Sequence, residues 1–196
     1  LLDDLIRFFD NPARALLRDR LDVLLAREED DPDDAVPVEV AKGLDEWQVG
    51  ERLLADALDG VAPQDVLEGE RRRGLLPPGQ LGEHALQAIV PTVAAVVERA
   101  GQLRQGEARS IDITVDLGGD RRLTGTVGGV YDSGQVSAGY SRIGAKPQLR
   151  AWITALALAA GAPHRDDGWC AHTVGKARRG GGAEVASYGP VDPEDR

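Results

Sequence analysis

The chain has 196 residues, 42% of them hydrophobic but only 4% aromatic, and a formal net charge of −10. This length suffices for a core, which must be built mainly from Leu, Ala and Val. One cysteine excludes an internal disulfide and fits a reducing compartment, and neither a signal peptide nor an apolar run of about 18 residues is present. We therefore expect a cytoplasmic protein without a membrane span. The lack of methionine predicts a piece cut from a longer polypeptide.

The charge is unevenly distributed along the chain. Residues 1–60 carry 17 acidic and 7 basic side chains, whereas residues 61–196 carry 16 of each. Within 138–182 the seven basic side chains outnumber the two acidic ones. Opposite polarity in two segments predicts two different neighbours. The alternative is an ordinary solvated surface, which is charged in most proteins.

The first residues predict two short helices. Asn11-Pro12 supplies a cap for the second helix and a proline in its first turn. The acidic run 28–34 predicts a polar loop, because adjacent like charges repel and Pro32 breaks a helix. Residues 36–38 are expected to be extended. The first helix has one apolar face, formed by Leu2, Leu5, Ile6 and Phe9.

Three further helices are predicted before the strands begin. Asp45 is expected to cap a helix that Gly60 terminates, and a short helix follows over 63–73. The longest helix is predicted over 81–103, where apolar residues recur at helical spacing. Pro91 lies inside it, so a kink or a break is expected there.

The period of the pattern then changes from helix to strand. Apolar and polar residues alternate over 111–116, which predicts a half-buried strand. Tight turns connect it to a second strand over 121–131 and a third over 135–141. The three strands are expected to form an antiparallel meander.

A helix over 147–160 is predicted next, followed by two strands at 169–174 and 184–188 on either side of a glycine-rich tip. The final residues, 191–195, resemble the first turn of another helix. Cys170 is expected to be a buried or half-buried small side chain. There is no P-loop, HExxH, CxxC pair or GxSxG, and the three histidines lack ligand spacing, so a zinc site is not expected.

Several segments together resemble a known family. These segments are 5–21 (LIRFFDNPARALLRDRL), 74–79 (GLLPPG), 82–83, 123–130, 140–146 and 149–152. On them, the chain is similar over almost its whole length to the C-terminal domain of RecC-type subunits of the RecBCD (exodeoxyribonuclease V) helicase–nuclease. The resemblance implies one α+β domain with a restriction-endonuclease-like core: a helical lead-in over 1–106, then an α/β core over 107–196.

The resemblance also implies a function. Subunits of this family hold two helicase motors together and scan the unwound strand for the recombination signal Chi during double-strand-break repair. The implied partners are RecB-like and RecD-like subunits and DNA. Mg²⁺ and ATP would belong to those partner subunits, so no cofactor is expected here.

An active nuclease of this class carries metal-binding acids at the ends of two strands. Here these positions are Gly128 and Ala138-Gly139, which supply no oxygen ligand for Mg²⁺. We therefore predict a degenerate nuclease site without a catalytic residue or a metal. Four other acids lie nearby and are expected to serve structural roles; two share a strand face about 13–14 Å apart and two lie in turns. These are Asp112, Asp116, Asp120 and Asp132.

Basic side chains are the candidate contacts to DNA or to a partner subunit. Arg142, Lys146 and Arg150 are predicted at a strand end and on the next helix, where they could face a phosphate backbone or another subunit. Arg178 and Arg179 are predicted on the flexible hairpin tip and complete the candidate set.

Gln148 and Trp152 match the spacing of a Gln-x-x-x-Tyr element of active RecB-type nucleases, with Trp in place of Tyr. We expect Trp152 simply to pack against the sheet. Three functions stay open from the sequence: a non-catalytic DNA-handling and scaffolding domain, a purely protein–protein module, and a nuclease that uses displaced acids such as Asp112 or Asp132.

Overall fold

The structure is a computed structural model that describes residues 1–23, 40 and 43–191. The helices are α1 (Leu2–Asp10), α2 (Pro12–Leu21), α3 (Leu44–Leu58), α4 (Pro63–Arg72), α5 (Gln80–Leu103) and α6 (Ala145–Gly161). The strands are β1 (Arg109–Gly118), β2 (Arg121–Tyr131), β3 (Gly134–Arg142), β4 (Ala171–Lys176) and β5 (Ala183–Tyr188). Three sequence predictions lie outside the described residues: the loop at 28–34, the extended segment at 36–38 and, apart from Val191, the helical turn over 191–195. No helix within the described ranges has the length and hydropathy to cross a bilayer.

The strands form one mixed five-stranded sheet in the order β1-β2-β3-β4-β5. β1 and β2 pair antiparallel, β3 and β4 pair parallel, and β4 and β5 pair antiparallel. The predicted three-stranded antiparallel meander is therefore incomplete as a description. Helix α6 is the reason, because it returns the chain to the edge of β3 in the same direction, as a parallel pair requires.

β2 and β3 separate soon after their connecting turn. They pair only at Val130↔Gln135 and Tyr131↔Gly134. Gly129, the next residue along β2, has a φ of 64°, a left-handed conformation that glycine adopts without steric cost. The remainder of β3 is consequently left without a partner strand on that side, and this open edge positions the site described below.

Two large apolar clusters and a small one hold the helices to the sheet. The first joins α3, α4 and α5 to β3 and β4, the second joins α1 and α6 to β1 and β2, and the small one joins α6 to β4. Buried side chains of the first include Leu53, Leu54, Ile89, Val96 and Tyr140. Those of the second include Leu2, Ile113, Val127, Val130 and Leu158. The coarse prediction of an α+β fold is thereby confirmed.

The N-terminal helix α1 docks onto the C-terminal half of the chain. Leu2 is buried against β2 at Gly125, where an added Cβ would lie 2.7 Å from the Leu2 Cβ. Asp10, at the end of α1, accepts two hydrogen bonds from Nε of Arg150 on α6, at 2.9 and 2.8 Å. Thus one end of α1 is fixed by apolar packing and the other by an ion pair.

Local predictions have mixed outcomes. The Asn11 cap is confirmed, since its Oδ1 accepts a hydrogen bond from the backbone N–H of Arg14 at 3.0 Å. The Asp45 cap is wrong: α3 begins at Leu44 after Gly43 and has no side-chain cap. Asp45 lies instead in the first turn, where its charge still favours the helix dipole. Of the two outcomes predicted at Pro91, a kink or a break, the break is wrong, because α5 continues through it with buried residues on both sides.

Two single-residue predictions concern the C-terminal half. Cys170 is half-buried as expected, and burial raises the pKa of its thiol. Trp152, however, is 49% exposed and does not pack into the sheet. Its neighbours Ala151 and Ile153 are buried, so the tryptophan occupies the outer side of α6.

Candidate functional site

The open edge of β3 borders a cleft of about 370 Å³. Ala138 and Gly139, two of the predicted degenerate positions, line this cleft. Gly128 does not; it is exposed on β2, and an added Cβ there would meet only Ser110 Oγ at 3.8 Å. The structure therefore does not bring the two predicted acid positions into one cleft, because β2 has already diverged from β3 at this level.

One carboxylate, that of Glu51 on α3, lies in this cleft among the described residues. Its Oε2 accepts a hydrogen bond of 2.7 Å from the backbone N–H of Tyr140. An added Cβ on Gly139 would lie 3.8 Å from Oε1 of the same carboxylate. Glu51 thus occupies the space beside Gly139 and satisfies a donor of the open strand edge.

The other four acids considered from the sequence lie elsewhere, and three of them have structural partners. Asp112 accepts a hydrogen bond of 2.6 Å from Thr126 Oγ1, and Asp116 accepts one of 2.8 Å from the backbone N–H of Gly118. Asp132 forms an ion pair of 3.2 Å with Arg109. Asp120 is in the β1–β2 turn with a φ of 61°. Within the described ranges, no group of three or more His, Cys, Asp or Glu is arranged to hold a metal ion.

A second cleft, of about 550 Å³, adjoins the first and shares Trp47, Ser141 and Arg142 with it. Lys176 lines it, with Nζ 3.4 Å from Glu46 Oε1 and 4.1 Å from the centre of the Tyr140 ring. Burial, and secondarily the charge of Glu46, raise the pKa of Tyr140 to about 12. Lys176 is thus paired with Glu46 and Tyr140 within the fold, whereas Arg142 and Arg178 of this cleft are exposed.

The predicted basic residues separate into four groups. Arg142 is exposed, lines both clefts, and has no salt bridge to any residue in the described part of the chain. Arg178 is exposed and lines the second cleft. Lys146 and Arg179 are exposed but line neither cleft. Arg150 lines the first cleft, yet its guanidinium binds Asp10, and that hydrogen bond raises its pKa.

Sequence reasoning missed Trp47 and Glu51. Trp47 is 39% exposed on the first turn of α3 and lines both clefts. Neither residue lies in a motif, and 89 positions separate Glu51 from its partner Tyr140. The nearest sequence signal is Gly50, because a glycine inside a helix often marks a close approach of another element. In the structure this glycine lies against the ring of Tyr140.

The fold and the clefts define the class of protein: an α+β domain whose cleft presents arginines, a tryptophan and one hydrogen-bonded carboxylate at a strand edge. The model of the RecC C-terminal domain family matches residues 1–194, and the chain belongs to that family. It is 41% identical over 195 residues to the RecBCD enzyme subunit RecC of Mycolicibacterium smegmatis, covering 99% of this chain and 18% of the relative. It is 40% identical over 177 residues to the same subunit in two strains of Mycobacterium tuberculosis, covering 90% of this chain and 16% of the relative. The chain thus spans less than a fifth of these relatives.

Proposed function

We propose that this chain is a non-catalytic domain of a RecBCD-like helicase–nuclease, where it handles DNA and holds subunits together during recombinational repair of double-strand breaks. Its proposed partners are RecB-like and RecD-like subunits and DNA. On this proposal, Mg²⁺ and ATP act in the partner subunits. Reading of Chi would depend mainly on parts of a RecC subunit outside this chain.

The observation that carries the proposal is the chemistry of the cleft at β3. On the family resemblance, Ala138 and Gly139 correspond to positions that carry metal-binding acids in active nucleases; here they supply no oxygen ligand, and Glu51, which lines the same cleft, is engaged by the backbone of Tyr140. Mg²⁺ requires several oxygen ligands within about 2.1 Å. The succession of α5, the strands β1–β3 and α6 is consistent with the helix, strands and helix of the nuclease-like core that the family resemblance implies.

The scaffolding part of the proposal is supported by the surface of α1 and α2. α2 packs on α1 and buries Ala15, while large apolar side chains remain exposed on this pair. Exposed apolar patches of this kind mark protein interfaces. The side chains are Phe8, Phe9, Leu16 and Leu21, each at least 43% exposed.

A cleavage assay tests the non-catalytic part. We expect no cleavage of single-stranded or duplex DNA by the purified chain in Mg²⁺ or Mn²⁺. Cleavage that Asp132→Ala or Asp112→Ala abolishes would establish the alternative nuclease function. Asp116→Ala serves as the matched control, because this exposed acid also lies on β1 but points to a turn donor.

Co-purification tests the subunit and DNA contacts. The chain is expected to bind RecB-like or RecD-like subunits and to lose affinity for DNA when Arg142 and Lys146 are changed to Glu. The protein–protein alternative is correct if two results are found together: the variant with Glu at 142 and 146 no longer binds the partner subunits, and the wild-type chain has no affinity for DNA at low salt.

A further inference from the structure

The two clefts are continuous in their lining. Trp47, Ser141 and Arg142 belong to both, so these residues form the junction between the open edge of β3 and the space beside Lys176. Their volumes of about 370 and 550 Å³ lie in the range of roughly 300–1,000 Å³ that is typical of small-ligand sites. The surface therefore accommodates separate units of a ligand on each side of one aromatic residue.

Cations follow this path on both sides of the tryptophan. Arg150 lines the first cleft, Arg142 the junction and Arg178 the second cleft. Arg150 is held by Asp10 and Lys176 by Glu46, whereas the guanidinium of Arg142 is exposed and has no acidic partner within the described ranges. Arg142 is consequently the cation of the junction that is available to an external anion.

Trp47 supplies the second kind of contact. Its side chain is 39% exposed at the junction, although large aromatic side chains of soluble domains are mostly buried. An aromatic face beside a cationic groove is the arrangement by which proteins bind single-stranded nucleic acid, since bases stack on the ring while cations contact the backbone. A duplex cannot use this arrangement, because its bases are already stacked on one another.

We infer that the joined clefts form a path for single-stranded DNA, on which a base stacks on Trp47 and a backbone phosphate contacts Arg142. This inference rests on the proposed DNA-handling function and specifies its strand, its contacts and its location. Binding should be independent of base sequence and of divalent metal. It should weaken with salt, because each phosphate contact releases counterions.

The test is fluorescence anisotropy of the full chain with a labelled 15-nucleotide oligo-dT and with a duplex of equal length, in EDTA, over a salt series. We expect preference for the single strand. Trp47→Ala should weaken binding about 5- to 150-fold, the value of stacking one base, and Trp47→Tyr should restore most of it. Arg142→Gln should reduce the slope of log affinity against log salt by about 0.7, whereas Trp47→Ala should leave the slope unchanged.

Two matched controls come from the same chain. Trp152→Ala removes a tryptophan of similar exposure that lines neither cleft, and Arg122→Gln removes an exposed arginine of β2 outside both clefts. Circular dichroism establishes that each variant is folded. Equal effects of Trp47→Ala and Trp152→Ala, or equal binding of the duplex, would overturn the strand path while leaving DNA contact by this domain intact. Failure of the wild-type chain to bind any DNA at low salt would overturn both.

Discussion

Replacing Gly50 by alanine should change the stability of the protein through two effects of opposite sign. In the interior of α3, alanine should stabilise the helix by about 1 kcal/mol relative to glycine. However, a Cβ at this position would lie 2.2 Å from Cδ1 of Tyr140 and 2.3 Å from Cε1. The ring is 1% exposed, with Lys176 over one face, and the overlap is with the ring itself rather than with a flexible tip.

The overlap should prevail. Overpacking of a buried site typically costs about 1–3 kcal/mol, and the short distances here place Gly50→Ala near the upper value. After the gain in helix propensity, we expect a net loss of about 2 kcal/mol in the free energy of unfolding. Urea denaturation followed by circular dichroism measures it. Because β3 must move away from α3, the hydrogen bond from Tyr140 to Glu51 should also weaken.

The matched control is Gly69→Ala in α4, where an added Cβ meets no atom within 4 Å. This change should stabilise the protein by about 0.5–1 kcal/mol. The double variant Gly50→Ala/Tyr140→Leu has no ring for the new Cβ to overlap. Its loss in the free energy of unfolding should therefore be smaller than the sum of the losses of the two single variants. If Gly50→Ala is as stabilising as Gly69→Ala, the close approach of α3 and β3 is wrong.

Three further outcomes are expected. Arg52→Met should lower the free energy of unfolding in urea by about 3 kcal/mol. The Glu70 carboxylate, which is 2% exposed, would then keep only the ion pair of 3.4 Å with Arg73. A loss below about 1 kcal/mol would contradict this. Absorbance titration should find Tyr140 ionising near pH 12. The free energy of unfolding should fall as pH rises from 10 to 12, because the folded state holds this proton more tightly than the unfolded state does. Tyr140→Phe should remove this contribution to the pH dependence. Asn11→Ala should cost about 1 kcal/mol in thermal unfolding by removing the cap of α2, and an unchanged midpoint would refute that role.

The sequence pattern predicted elements better than their arrangement. The switch from helical to alternating spacing identified α5 and β1, and Gly60 marked the end of α3 to within two residues, because these signals are local. The parallel pairing of β3 with β4 was not predictable in this way. It depends on the path of the chain through α6, which spacing within a strand does not encode.

The clefts illustrate the same limit. Arg142 and Ala138-Gly139 were identified from their position at a strand end, and they do line a cleft. Glu51 and Trp47 join them only through the packing of α3 on β3, at a separation of about ninety residues. The prediction that Trp152 packs against the sheet was wrong because α6 is apolar on nearly every side. The sequence pattern therefore does not indicate which side of the helix meets the sheet.

The seating of α1 has a consequence for how this domain is made. Leu2 rests on Gly125, and Asp10 pairs with Arg150, which lies 140 positions later. The surface on which α1 packs is therefore completed only when α6 has been translated, so closure of this contact is a late event in the biogenesis of this domain.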